Sequence, residues 1–199
     1  MTVRQRGVAA VEFALLLPLL LLLLFGMMDA ARALQANIIL VNLSREGANL
    51  VARGNTDLTT GSQDIIYALM ASAPPLDVNR RGMVYITRVM GLKQGTTLRN
   101  VVLDQYRWDD ATRVLGFRVS QYAPASRIYG CATWSGATCA SLKTSPQPTS
   151  YVMAGQLRDG EVIYVVETFY RYDMLVTGFA IGSLALPTFG PDLYSMTIF

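Results

Sequence analysis

The sequence predicts an α+β protein in which a long N-terminal helix packs on an antiparallel sheet. Three observations predict it. An uncharged apolar run over residues 13–28 passes into a repeat of apolar residues three and four apart that reaches residue 53. From residue 82 onward the apolar period falls to two. Between two such stretches stands Asp159-Gly160, a tight-turn signal. With 199 residues the chain is long enough to bury a core of its own.

The N-terminal element comes first. Extending the uncharged run back to Val8 gives residues 8–28, and at 1.5 Å per residue this spans roughly 30 Å, the hydrocarbon thickness of a bilayer. Arg4 and Arg6 precede the run and Asp29 follows it, which places the N-terminus in the cytoplasm by the positive-inside rule and the bulk of the chain outside. Pro18 removes one backbone hydrogen bond, a loss that a membrane helix tolerates. The continuation, "DAARALQANIILVNLSREGANLVAR", sets Ala33, Ala36, Leu40, Leu43, Gly47 and Leu50 on one face, and Gln35, Asn42, Glu46, Asn49 and Arg53 elsewhere. Residues 8–53 as one helix would be roughly 70 Å long. "RGN" supplies a glycine stop, and a second short helix is expected over 62–72, ended by Pro74 and Pro75.

Then come the strands. "GMVYITRVM" (82–90), "LRNVVLDQYRW" (98–108) and "RVLGFRVSQY" (113–122) read as strands, the last two joined by a loop at "DDAT". "YVMAGQL" (151–157) and "EVIYVVETFYRY" (161–172) flank "RDG" and read as a further hairpin. In the second of these, Glu161, Ile163, Val165, Glu167, Phe169 and Arg171 share one face, and Val162, Tyr164, Val166, Thr168, Tyr170 and Tyr172 the other. The ending "LYSMTIF" alternates weakly and suits a terminal strand, so four or five strands are expected under the helix. The uncharged stretch 174–187 is too short to cross a bilayer and is interrupted by Gly178 and Gly182; it fits the head's own apolar surface, a partner, or a membrane surface.

Composition removes whole function classes. The chain has no histidine, which excludes a Ser-His-Asp or Cys-His nucleophilic centre and any His-containing metal site. The net charge of +3 owes two charges to Arg4 and Arg6, and the remaining basic residues form no stripe, so nucleic acid is not an expected partner. No paired acidic motif stands out, and neither a cofactor nor an enzymatic activity is expected. Cys131 and Cys139 enclose "ATWSGAT", a natural size for a disulfide loop outside the cytoplasm, with two free thiols as the alternative. Closing such a loop contributes about 2.5 kcal/mol on the chain-entropy model. Trp134 in its middle is either a contact residue or buried under the loop.

Glu12 is the residue that an anchor does not explain. A charge at the bilayer centre costs at least about 2.5 kcal/mol, less near the interface, and asks for a partner. Three readings of the N-terminus compete. One is a signal peptide cut after Ala33 at "AARA", though its apolar core is longer than usual. The second is a plain signal anchor, which has no use for Glu12. The third takes "RQRG" followed by "VAAVEFALLLP" as a leader junction that resembles those of type IV prepilins: glycine, a short small or apolar stretch, then Glu and an aromatic residue.

"RGVAAVEFALLLPLLLLLLFGMMDAAR" is similar to the N-terminal signature of the TadE/TadF-like pseudopilins of the Tad (Flp, type IVc) pilus system. "SREGANLVARG" resembles a second stretch common there, "REGAR", with Asn49 in place of the arginine. The resemblance covers residues 4–54, and beyond them the chain follows only the general plan of a pilin head. It implies a leader over 1–7, cleavage by a prepilin peptidase between Gly7 and Val8, and a helix over 8–53 that starts packing at Phe13. The new amine on Val8 would lie four residues from Glu12, on the same helix face. Their pairing would set register between packed helices. The head, 54–199, would then lie outside the cytoplasmic membrane, on a single span whose N-terminus is inside. Other pseudopilins, the major pilin and the inner-membrane assembly platform are the implied partners, and pilus initiation or biogenesis the implied role. The alternative function is a membrane-anchored or secreted domain that binds a ligand or surface.

Overall fold

The computed structural model describes residues 5–53, 58–109, 122–142, 146–174, 180–181, 184–185, 190 and 192–199. In chain order these form helices α1 (Gln5–Arg53), α2 (Leu58–Ala71) and α3 (Val78–Arg81), then strands β1 (Gly82–Gln94) and β2 (Thr97–Arg107). Two-residue strands β3 (Trp134–Ser135) and β4 (Thr138–Cys139) and a 3-10 turn over Ala140–Leu142 follow. The series closes with β5 (Val162–Arg171), β6 (Ala180–Ile181), β7 (Leu184–Ala185) and β8 (Asp192–Ile198). The fold is α+β, a long helix with a six-stranded antiparallel sheet.

The chain divides into two units, Met1–Ala36 with Tyr172–Pro191, and Asn37–Arg171 with Asp192–Phe199. In the first, α1 carries Pro18 without ending. Asp29 closes the apolar run as a buried residue; its carbonyl accepts a 3.3 Å bond from the Tyr172 hydroxyl, and its carboxylate lies 3.8 Å from Arg32. Within the stretch 174–187, β6 and β7 pair Ala180 with Ala185 and Ile181 with Leu184.

The second unit holds the sheet, in the order β3-β4-β2-β1-β5-β8. Its α1 segment buries Leu40, Leu43 and Gly47 of the expected face together with Ser44, Ala48 and Val51, while Leu50 is half-buried. The contact is close. A Cβ on Gly47 would lie 2.9 Å from a Leu69 methyl of α2 and 3.0 Å from a Val166 methyl of β5, so any larger residue there makes those side chains shift. Ser44 Oγ donates to the Val41 carbonyl at 2.9 Å and lies 2.9 Å from the hydroxyls of both Ser195 and Thr197 on β8. Thr168 of β5 donates to the Leu40 carbonyl at 3.3 Å. α2 is tied to the end of β2 through both ends of the Gln63 amide, which donates to the Arg107 carbonyl and accepts from the Asp109 N–H.

The sheet's other face is covered by loops. Val89, Ile163 and Val165 pack with Ile128 and Leu157 from the connections. Here the expected strand over 151–157 gives way to consecutive turns. Met153 and Gly155 take positive φ, 49° and 75°, and the Ala154 and Gln156 amides bond to the Tyr151 and Met153 carbonyls. The apolar residues of that stretch act as a plug: Leu157 is buried, and β1 already has β2 and β5 as neighbours. The Arg158–Glu161 turn forms as expected, with Gly160 at φ 78°, but it docks on β1, where Gly91 bonds to Gly160 and Glu161. A Cβ on Gly91 would stand 2.2 Å from the Arg158 carbonyl oxygen. The sheet exceeds the expected four or five strands through the short β3 and β4. The expected strand 113–122 and its loop fall on residues 110–121, outside the described residues; Tyr122 lies in a bend.

Candidate functional site

The N-terminal signature lies on α1. Gly7, Val8, Glu12 and Phe13 all sit in regular helix on its exposed surface, and Val8, Val11 and Phe13 are each about three-fifths exposed. Leu15 through Phe25 continue this, with no large apolar side chain buried. A Cβ on Gly7 would meet nothing within 4 Å. Val8 and Glu12 stand four residues apart, one helical turn on the same face. Glu12 has no charge partner among the described residues. It is the one ionisable side chain from Gly7 to Met28. The helix over Gly7–Arg53 is long and apolar enough to cross a membrane.

The second stretch of the signature, Ser44 to Gly54, divides by direction. Ser44, Gly47 and Ala48 face the sheet, Glu46 accepts a 3.2 Å bond from Ser72, and Arg45 and Asn49 face outward. Position 49, where the sequence departs from the common pattern, therefore makes no contact with the head's interior.

On the head, Cys131 and Cys139 form a disulfide. The Ser141 hydroxyl lies 3.4 and 3.2 Å from the two sulfurs. Trp134 in the loop is half-buried, with the Tyr85 ring 5.9 Å away and the Arg107 guanidinium 4.5 Å from its ring centroid. The row continues from Tyr85 to Phe169 at 5.8 Å and to Tyr194 at 4.8 Å, where Arg127 stacks at 3.9 Å.

Sequence reasoning missed the polar centre of this face. Glu167 is fully buried, and its carboxylate accepts from the Ser126 hydroxyl, the Arg127 N–H at 2.9 Å and the Tyr194 hydroxyl at 3.1 Å. Burial pushes its pKa above the ordinary carboxylate value, against those three bonds and the Arg127 charge. Gln105, also fully buried, donates to Ser126 Oγ at 2.9 Å and to the Tyr129 carbonyl at 3.0 Å. Tyr85 donates to the Pro124 carbonyl at 2.5 Å, and burial pushes its own pKa up to about 12. Together these hooks strap residues 124–129 to the sheet. The available signal was an acid, Glu167, set between Val165 and Phe169 in the apolar middle of one strand face. Among the described residues no group of three or more His, Cys, Asp or Glu is gathered in a metal-binding arrangement.

Helix and head together define a class: an α+β chain whose N-terminal helix is suited to a membrane and carries one carboxylate in its apolar part. Residues 7–49 match the model of a protein family described as TadE-like protein. The match contains Gly7, Val8, Glu12 and Phe13 as well as Ser44, Gly47 and Ala48; residues 50–199 lie outside it. No curated protein and no solved structure matches the chain.

Proposed function

We propose that this chain is a minor pilin, or pseudopilin, of a Tad-type pilus machine. It is made as a precursor, held in the cytoplasmic membrane by residues 8–28 with the N-terminus inside, and cut between Gly7 and Val8 by a prepilin peptidase. It is a substrate and a building block, with no catalysis of its own. The observation that carries the reading is Glu12, alone in an exposed apolar helix and one turn from Val8, inside the segment that matches the TadE-like model. Cleavage places an ammonium on Val8. Within one chain or between neighbours it neutralises the carboxylate, which otherwise costs a few kcal/mol in hydrocarbon. Phe13 begins the apolar surface on which other helices of the pilus pack. The disulfide supports an extracytoplasmic head, because such bonds persist in oxidising compartments.

The test is the intact mass and N-terminal sequence of the protein taken from its own host's membranes. A start at Val8 with the apolar helix retained is the expected result. A start at Leu34, or an uncut Met1 beside an active peptidase, overturns the reading. Glu12→Ala is expected to leave cleavage in place and to remove pilus production, counted by electron microscopy.

A further inference from the structure

Within the second unit α1 has another surface, opposite the stripe that meets the sheet. Its centre is the line of Ile38, Asn42 and Asn49, all exposed. At about 100° per residue, Arg45 stands roughly 50° to one side of the Asn42–Asn49 line and Glu46 roughly 50° to the other. Among the described residues Arg45 has no charge partner, and Glu46 accepts the Ser72 hydroxyl through one oxygen. Asn42, Arg45, Glu46, Asn49, Leu50 and Arg53 line a groove along the helix, to which no other element contributes among the described residues.

This pattern suits a helix that meets another helix. Asn42, Arg45, Glu46 and Asn49 are spaced i, i+3, i+4 and i+7, the four corners of a hole that receives one side chain of a facing helix. Glu46, Asn49, Leu50 and Arg53 repeat the spacing one turn further on. Solvent alone gives no reason for the two asparagines, since Asn is a weaker helix former than the Gln, Glu or Lys that an exposed face can use. Seven residues apart on one face, they can each meet their own equivalent on a second helix in register, the best attested use of a buried Asn between helices.

The flanks select the partner and its direction. When two copies of one helix run parallel about a two-fold axis, each flank faces the opposite flank of the other copy. Arg45 then meets Glu46 of the second copy, and Glu46 meets its Arg45. The paired residues differ by one position, about 1.5 Å along the axis, so both contacts form in register. An antiparallel pair brings like flanks together, Arg45 against Arg45 and Glu46 against Glu46, with repulsion at both. The surface therefore complements itself in the parallel direction alone.

We propose that the outward face of α1 around Asn42 and Asn49 is a dimer interface with a second copy of this chain, parallel and in register. Asn42 and Asn49 each lie beside their own equivalent, and Arg45 pairs with Glu46 across the axis twice. The pairing does not depend on cleavage at Gly7.

The experiment uses the full chain purified in detergent, with single cysteines placed on this face; Cys131 and Cys139 are already joined to each other. Asn42→Cys and Asn49→Cys, each alone, are expected to give disulfide-linked dimers on mild oxidation, read on non-reducing denaturing gels. Differently tagged Asn42→Cys and Asn49→Cys chains, mixed, are expected to give about tenfold less of the mixed product, because the two positions lie about 10 Å apart along a parallel pair. Arg45→Glu is expected to raise the dimer dissociation constant about tenfold by light scattering, and adding Glu46→Arg to it to restore the dimer, with the melting temperature of the head as the folding control. A mixed dimer as the main product, a monomer at every concentration, or a dimer indifferent to Arg45→Glu overturns the proposal. The N-terminal mass reads processing separately, so a chain that starts at Val8 and stays monomeric defeats the dimer alone.

Discussion

Gly47 and Glu167 show how single residues set the terms of this head. At Gly47 the missing side chain is the function: α1 approaches β5 and α2 so closely that a methyl group would lie about 3 Å from two apolar side chains. Gly47→Ala is expected to destabilise the head by about 1–3 kcal/mol, read as a lower denaturant midpoint at unchanged slope. Glu167 acts through its charge. Its folded pKa is raised, so the folded state binds more protons than the unfolded state wherever the two differ, and stability falls as pH rises. The contribution is largest below the ordinary value of 4.5 and declines as pH passes up through the folded pKa. Thermal melts followed by tryptophan fluorescence should therefore show this group stabilising the head more at pH about 5 than at about 7. Glu167→Gln, of similar shape and without a titration, should flatten that dependence.

At the scale of elements, the connections do work that sequence patterns assign to strands. The stretch 151–157 alternates apolar and polar residues as a strand would, yet it folds as turns that bury Leu157 against β1 and β5. The polar strap over 124–129 leads directly into the disulfide loop, which supplies β3 and β4. Replacing both Cys131 and Cys139 by serine is expected to cost about 2.5 kcal/mol, since the bond restricts a short loop in the unfolded chain. A chemical denaturation series with and without reductant measures it. β1 and β5 hold the middle of the sheet because their near-continuous buried runs suit strands covered on both faces.

For the whole molecule, α1 sets the environment. Its first part exposes an apolar surface from Val8 to Met28 interrupted only by Glu12, and its last turns bury one stripe against the sheet. The full chain should remain with the membrane fraction after alkaline carbonate washing. A chain lacking residues 8–28 should appear in the soluble fraction, because about 30 Å of apolar helix is what holds it. Recovery of the intact chain in the wash would remove the anchor from the account.

How much of this was legible beforehand depended on the range of the interactions. The α+β class, the helix through Arg53, α2, β1, β2, β5 and β8 follow from local period and turn chemistry, and each was placed within a few residues. The spacing of Gly7, Val8, Glu12 and Phe13 is likewise local, since the four lie on a single helix, within the matched residues 7–49. The Ser44 clasp on Ser195 and Thr197 was not legible, nor the hooks on Glu167, nor the turns at 151–157. Each joins groups far apart in the chain, and alternation along one segment says nothing of which partner fills its edge or face. The sequence alone determined a membrane-suited helix with one carboxylate and a sheet-forming head, because hydrophobic period is a local property. Only the tertiary structure decided how closely the helix meets the sheet at Gly47, which acid is buried, and that β8 pairs with β5, because strand order and burial depend on which distant segments come together.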